Sequence, residues 1–119
     1  MSKSEVRARK PARDAVRSWV RTGLLPRQVP YDVDTWPPRS RSAAYLLRYL
    51  IDHANLTPAS AAPVARRVTG LEPLGEHYGG PAGLVLVLGT GVSIMVHGDV
   101  LEACHVPPMV PPKAVPGPD

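Results

Sequence analysis

The sequence has a single cysteine, no phenylalanine and no long apolar run. Because Cys104 is the only thiol, the chain has no internal disulfide, which is typical of a reducing compartment. No apolar stretch approaches the ~20 residues that a membrane-spanning helix needs. No apolar segment follows the basic N-terminus as it does in a secretory signal. We therefore expect a cytoplasmic protein without a membrane span.

Proline and glycine are abundant, with 15 and 10 residues in a chain of 119. Neither suits the interior of a helix or strand, so most of them should lie in loops and in the C-terminal stretch PPMVPPKAVPGPD. The composition predicts a basic flexible arm over residues 1–10, one small α+β domain over 11–106 and a disordered proline-rich tail over 107–119.

Positive charge is concentrated near the N-terminus. The net charge of the whole chain is +4, yet residues 1–27 hold eight Lys or Arg residues against only Glu5 and Asp14. The remainder of the chain is therefore slightly acidic. Such an asymmetry predicts that the N-terminal segment meets an anionic partner.

Two segments in the first half of the chain have the apolar spacing of amphipathic helices. The first is predicted over residues 11–22. The second begins at Ser40 or Ser42, either of which could cap it, and extends to about residue 54. We expect Leu47 and Leu50, on the broad apolar face of the second helix, to be nearly fully buried.

A third, shorter helix is predicted to begin near residue 60 and to end before Gly70. This start places Pro63 in the first turn, where its ring does not collide with a preceding carbonyl group. The same spacing leaves Arg66 and Arg67 facing water.

The stretch GLVLVLGTGVSIMVHGD allows two interpretations. Gly89 and Gly91 match the start of the dinucleotide-binding pattern G-x-G-x-x-G, but Ile94 occupies the third glycine position. No Lys-Ser or Lys-Thr of a phosphate-binding loop follows. The alternating, β-branched VSIMV favours a strand. We therefore predict a hairpin with strands at 84–88 and 92–97.

A second tight turn at Gly98-Asp99 leads into VLEACHV, residues 100–106, which we predict to be a third strand. The strand at 84–88 is apolar on both faces and should be the central or the most covered of the three. The predicted fold class is α+β, with two to three helices packed on a three-stranded antiparallel β-meander.

Candidate catalytic and metal-binding residues do not form a convincing set. Cys104 and His105 are adjacent on the predicted strand and therefore point to opposite faces. His97 with Cys104 remains as a pair, whereas zinc needs three or four ligands. Asp32 and Asp34 lie in a proline-rich loop, where such a pair is more typical of a solvated turn. We expect no enzymatic activity, no metal and no cofactor.

The helices over 42–54 and 60–69, followed by a hairpin, resemble a winged helix-turn-helix in their order and spacing. The resemblance implies a DNA-binding regulatory protein whose second helix enters the major groove and whose hairpin is the wing. Two features depart from this pattern. The tip at 89–91 has no basic residue to contact a phosphate, and Arg66 and Arg67 come late in the helix that would read bases.

The basic N-terminal helix is the strongest functional feature of the sequence. Arg13, Arg17 and Arg21 recur every four residues and form a ridge beside the apolar stripe of Val16 and Trp19. We predict a small non-enzymatic nucleic-acid-binding protein, DNA-binding and regulatory, that contacts the phosphate backbone.

The predicted binding residues are Arg7, Arg9, Lys10, Arg13, Arg17, Arg21, Arg66 and Arg67. The alternative is a protein-interaction or accessory module that binds an acidic protein partner through the same basic helix. Either interpretation is compatible with a homodimer.

Overall fold

The computed structural model of the protein describes residues 8–80 and 82–106. Its elements in chain order are α1 (Arg13–Arg21), a 3-10 turn (Val33–Thr35), α2 (Pro38–His53), α3 (Pro58–Val68), β1 (His77–Gly80), β2 (Gly83–Gly89), β3 (Val92–His97) and α4 (Gly98–Ala103). None of the helices within these residues is long and apolar enough to cross a membrane. The predicted proline-rich tail over 107–119 lies outside the described residues.

The three strands form one antiparallel sheet in the order β1-β2-β3. The predicted hairpin is therefore confirmed, and its first strand is the central one. Leu84 pairs with Val96 and Leu86 with Ile94 on the face that packs against the helices. The chain reverses at Gly91, whose φ of +73° lies in the left-handed region that glycine adopts without strain.

The opposite face of the sheet is open to solvent. Tyr78 pairs with Val85, and Val85 pairs with Met95, so these side chains form a row across the three strands. Tyr78 is 60% exposed and Met95 is 43% exposed. The sheet is thus covered by helices on one side only, which is a common arrangement for antiparallel sheets.

The strand that completes the sheet, β1, precedes the hairpin in the chain. The prediction of a strand over residues 100–106 is therefore wrong. β1 has the sequence HYGG, and two of its four residues are glycine, which has low strand propensity. Residues 98–103 form α4 instead. Val100 and Cys104, four residues apart, are both buried, as expected for one side of a helix. The predicted α+β class with a three-stranded antiparallel meander is confirmed.

α2 begins at Pro38, earlier than predicted, because proline suits the first helical position, where its missing N–H has no role. Ser40 and Ser42 therefore lie inside the helix, are buried, and do not cap it. The Ser42 hydroxyl donates a hydrogen bond of 2.6 Å to the carbonyl of His105. This hydrogen bond connects the segment after α4 to α2.

α3 also begins at a proline, Pro58, with Thr57 as its N-cap. The Thr57 hydroxyl accepts a hydrogen bond of 3.1 Å from the backbone N–H of Ser60. Because the helix begins two residues before the predicted start, Pro63 lies in its second turn, and the prediction that Pro63 occupies the first turn is wrong. The helix ends as expected before Gly70, whose φ is +85°.

One hydrophobic core joins the helices, the 3-10 turn, β2 and β3, whereas the four residues of β1 are exposed. The largest fully buried side chains come from α1, the 3-10 turn, α2, α3 and β2, among them Val16, Val33, Leu46, Leu47, Val64 and Leu86. Leu47 and Leu50 are 0% and 4% exposed, which confirms the buried face predicted for α2. The core contains no phenylalanine and is filled mainly by aliphatic side chains.

Truncation of Leu47 tests this packing. We expect Leu47→Ala to lower the free energy of unfolding by about 2–5 kcal/mol, because both the transfer term and the residual cavity are unfavourable. Urea denaturation measures the change. Leu88→Ala is the matched control, since Leu88 is 42% exposed and its truncation should cost less than about 1 kcal/mol. Equal losses for the two variants would show that α2 is not the centre of the core.

Candidate functional site

α1 has a buried apolar side and an exposed basic side. Val16 and Trp19 are buried, whereas Arg13, Arg17 and Arg21 are exposed. The helix begins at Arg13, two residues after the predicted start. We call the surface formed by these three arginines the basic face of α1. Among the described residues, Arg17 is the only one of the three that forms an ion pair.

An open surface pocket of about 300 Å³ lies beside the first turns of this helix. Its lining residues are Arg13, Asp14, Arg17, Pro30 and Tyr31. The carbonyl group of Pro30 accepts a hydrogen bond of 2.6 Å from Nε1 of Trp36. Because Trp36 is buried, this bond holds the far wall of the pocket against the core.

Asp14 is the single acidic residue in the lining of this pocket. Its Oδ1 lies 3.8 Å from Nη2 of Arg17, and the Asp14 side chain is 96% exposed. A surface pair of this length contributes little to stability because solvent screens it. The pocket therefore combines two guanidinium groups, one solvated carboxylate and one aromatic ring.

Lys10, one of the predicted binding residues, is engaged with two carboxylates of the fold. Its Nζ lies 2.9 Å from Oδ1 of Asp32 and 3.0 Å from Oδ2 of Asp34. The hydroxyl of Tyr45 on α2 donates a hydrogen bond of 2.9 Å to Oδ1 of Asp34. Asp32 and Asp34 thus connect the segment before α1 to α2.

These contacts shift the pKa values of the participating groups. Hydrogen bonds from Lys10 hold the pKa of Asp32 and of Asp34 below the ordinary value of 3.8. The same bonds raise the pKa of Lys10 above 10.5. Burial, and then the bond to Asp34, raise the pKa of Tyr45 above 10.0. The shifts of Lys10, Asp32 and Asp34 favour the state in which all three are charged, and the shift of Tyr45 favours the neutral hydroxyl that donates to Asp34.

Arg66, the first of the two predicted arginines on α3, donates a hydrogen bond of 2.8 Å from Nη1 to the carbonyl of Leu24. Its Nε forms a hydrogen-bonded ion pair with Glu72. The Arg66 side chain is 23% exposed. Arg66 therefore holds the segment that follows α1 against α3, and the expectation that it faces water is wrong.

Arg67 makes three hydrogen bonds to backbone carbonyl groups. Nε donates to Leu74 at 2.8 Å, Nη1 to Val87 at 3.2 Å and Nη2 to Glu76 at 3.2 Å. The three acceptors belong to β2 and to the segment that leads into β1. The planar fork of a guanidinium group suits several acceptors at once. Arg67 thus connects α3 to the sheet, and it too does not simply face water.

The predicted binding residues therefore separate into three groups. Arg13, Arg17 and Arg21 lie together on α1, and Arg9 is also exposed. A second group, Lys10, Arg66 and Arg67, is bonded within the fold. Arg7 lies outside the described residues. Sequence reasoning missed Tyr31 and Pro30 as neighbours of the basic face, because no periodicity links the loop to the helix.

The cysteine–histidine pair considered above does not form a site. Cys104 is buried and His97 is exposed. Burial raises the pKa of the Cys104 thiol to about 12, so the reactive thiolate is strongly disfavoured at neutral pH. Among residues 8–80 and 82–106, no group of three or more His, Cys, Asp or Glu residues could hold a metal ion.

The contacts of Arg67 predict a steric requirement at Gly75. A Cβ atom at Gly75 would lie 2.7 Å from Nη2 of Arg67, and Gly75 has a φ of +71°. We expect Gly75→Ala to lower the free energy of unfolding by about 1–3 kcal/mol. Arg67→Gln should lower it by about 2–4 kcal/mol, since it leaves carbonyl groups without their donor.

Thermal and urea denaturation measure both changes. Gly23→Ala is the control for the first variant, because Gly23 also has a positive φ, +82°, and nothing lies within 4 Å of a Cβ atom there. A Gly75→Ala variant that loses no more stability than Gly23→Ala would contradict the close approach of Arg67.

The stability contributed by the ion pairs of Lys10 with Asp32 and Asp34 should depend on pH at both acidic and basic pH. The folded state lowers the pKa of Asp32 and Asp34. Their contribution to the free energy of unfolding is therefore present above pH 3.8 and is lost as the pH falls through the lowered pKa values. Because the pKa of Lys10 is raised, its contribution is present below 10.5 and is lost as the pH rises through the raised value.

NMR titration of the side-chain carboxyl groups checks the acidic end. Lys10→Gln should raise the titration midpoints of Asp32 and Asp34 toward 3.8. Arg48→Gln is the control, since Arg48 pairs with Asp52 at 2.9 Å and should leave both midpoints unchanged. Identical midpoints in the wild-type protein and in Lys10→Gln would show that the bridge does not form in solution.

Comparisons with known proteins add no family to this description. The chain matches no protein-family model, no curated protein and no solved structure. No matching structure supports the winged helix-turn-helix resemblance of α2, α3 and the β2–β3 hairpin, and β1 lies between α3 and that hairpin.

Proposed function

We propose that this protein is a small, non-enzymatic nucleic-acid-binding protein that contacts the phosphate backbone through the basic face of α1. The observation that carries the proposal is the exposure of Arg13, Arg17 and Arg21 on one side of a helix. The other side of that helix is anchored in the core by Val16 and Trp19.

The chemistry of arginine suits phosphate. The guanidinium group is always charged at physiological pH and presents paired N–H donors that match two phosphate oxygens. Four-residue spacing places neighbouring arginines about 6 Å apart along the helix axis. The basic face therefore offers a line of donors to the backbone of one strand.

The position of α1 also supports this role. Arg66 donates a hydrogen bond to the carbonyl of Leu24, in the segment that follows α1. Trp19 is buried near the C-terminal end of the same helix. A helix held in place before binding loses less conformational freedom when it meets a ligand, and this favours affinity.

The start of α3, which reads bases in a helix-turn-helix, is a weaker candidate. Its exposed first residues, Pro58, Ala59 and Ser60, carry no charge. Arg66 and Arg67 come later and donate to acceptors within the fold. We therefore place the proposed contact on α1, where phosphate binding is largely independent of base sequence.

The salt dependence of binding tests the proposal. Each phosphate contact contributes about 0.9 to the fall of log affinity with log salt for duplex DNA, and about 0.7 for a single strand. Replacement of Arg13, Arg17 and Arg21 by Gln should flatten this slope by roughly two to three units on a duplex. Fluorescence anisotropy with a labelled 20-base-pair duplex and its separate strands measures the slope.

The control removes two charges on α2, as Arg39→Gln with Arg48→Gln. This double variant should change the slope by less than about one unit, because neither residue belongs to the basic face of α1. Absence of binding at low salt, or a slope unaffected by the triple change, would contradict the proposal. The basic face would then be assigned to an acidic protein partner, which co-purification can identify.

A further inference from the structure

The pocket beside α1 differs from the rest of the basic face in having an aromatic wall. Arg13 and Arg17 provide its positive charge, and Tyr31 and Pro30 add apolar surface to the same lining. Its volume of about 300 Å³ is at the lower end of the range for small-molecule sites. The space is therefore suited to one flat group attached to an anion.

The aromatic wall is held from both sides. On one side, the carbonyl of Pro30 is bonded to Nε1 of the buried Trp36. On the other side, Asp32 is bridged to Lys10 at 2.9 Å. The Tyr31 ring itself packs partly against the core. It is positioned before a ligand arrives, so stacking upon it requires little further ordering.

We propose that this pocket receives one unpaired base of a single-stranded nucleic acid, which stacks on Tyr31 while Arg13 and Arg17 contact the adjoining phosphates. This inference rests on the nucleic-acid binding proposed above and names its substrate class. In a duplex, every base is paired and stacked within the helix, so none is available to the ring. Stacking on an aromatic side chain is the general way in which proteins retain single strands.

Asp14 gives the pocket a second property. Its carboxylate lines the same space and lies 3.8 Å from Nη2 of Arg17. A phosphate that approaches Arg17 is repelled by this carboxylate and competes with it for the guanidinium group. Asp14 therefore weakens binding, and its removal should strengthen the contact with phosphate.

The experiment compares single-stranded and duplex ligands on the full chain. The labelled probes are a 12-nucleotide oligo-dT, a 12-nucleotide oligo-U and a 12-base-pair dT·dA duplex, each titrated by fluorescence anisotropy at low salt. The two single strands distinguish DNA from RNA. Thermal unfolding of each variant confirms that the fold is retained.

We expect Tyr31→Leu to weaken binding of the single strand by about 5- to 150-fold, the range found for loss of one stacked base. Duplex affinity should be unchanged. Tyr31→Phe should retain most of the single-strand affinity, because the ring is preserved. The matched control is Tyr78→Leu, which removes an aromatic ring that is 60% exposed on the open face of the sheet.

Asp14→Asn gives an effect of opposite sign. Because one unfavourable charge is removed, the single strand should bind about 2- to 5-fold more tightly at low salt. The side chain is 96% exposed, so we expect this variant to keep its fold. A gain for the single strands alone supports the pocket, whereas an equal gain for the duplex would assign Asp14 to the basic face only.

Three results would overturn the inference, and they separate it from the proposed function. If Tyr31→Leu folds and leaves single-strand affinity unchanged while the salt slope still depends on the basic face, only the pocket is wrongly assigned. Equal weakening of single strand and duplex would show that Tyr31 acts by positioning α1. If the wild-type protein binds no nucleic acid at low salt, both proposals fail.

Discussion

Two neighbouring guanidinium groups on α3 hold the parts of this small protein together. Arg66 donates a hydrogen bond to the carbonyl of Leu24, in the segment that follows α1. Arg67 donates to three carbonyl groups in β2 and in the segment before β1. Helices and sheet already share an apolar core, but burial of apolar surface is not directional. The hydrogen bonds of these two arginines define how α1 and the sheet are oriented relative to α3.

This arrangement divides the positive charge of the protein into structural and available parts. Lys10, Arg66 and Arg67 form ion pairs or donate to carbonyl groups within the fold, whereas Arg13, Arg17 and Arg21 face solvent on α1. The charge that we propose to meet phosphate thus lies on a helix that the structural arginines help to position. An exposed cationic face on a fixed helix favours fast, salt-sensitive association with an anionic polymer.

Much of the fold could be read from local patterns. The apolar stripe of α2 predicted the burial of Leu47 and Leu50, and the alternation around Ile94 predicted the hairpin. The apolar run at 84–88 predicted that its first strand is the central or most covered one. The residues of the basic face were visible in the same way, from their four-residue spacing on α1. These features depend on neighbours in sequence, so the periodicity of a helix or strand is enough to reveal them.

The tertiary structure decided what depends on distant partners. HYGG forms a strand only because β2 supplies its hydrogen bonds, and residues 98–103 form a helix that buries Val100 and Cys104 together. The helical spacing predicted that Arg66 and Arg67 face water. Apart from Glu72, their acceptors are backbone carbonyl groups, which every residue has and which no sequence pattern marks. The approach of Tyr31 to α1 likewise depends on the path of a loop. The sequence alone determined α1, α2, α3, the β2–β3 hairpin and the placement of charge, whereas tertiary contacts determined β1, α4 and which charges remain available to a ligand.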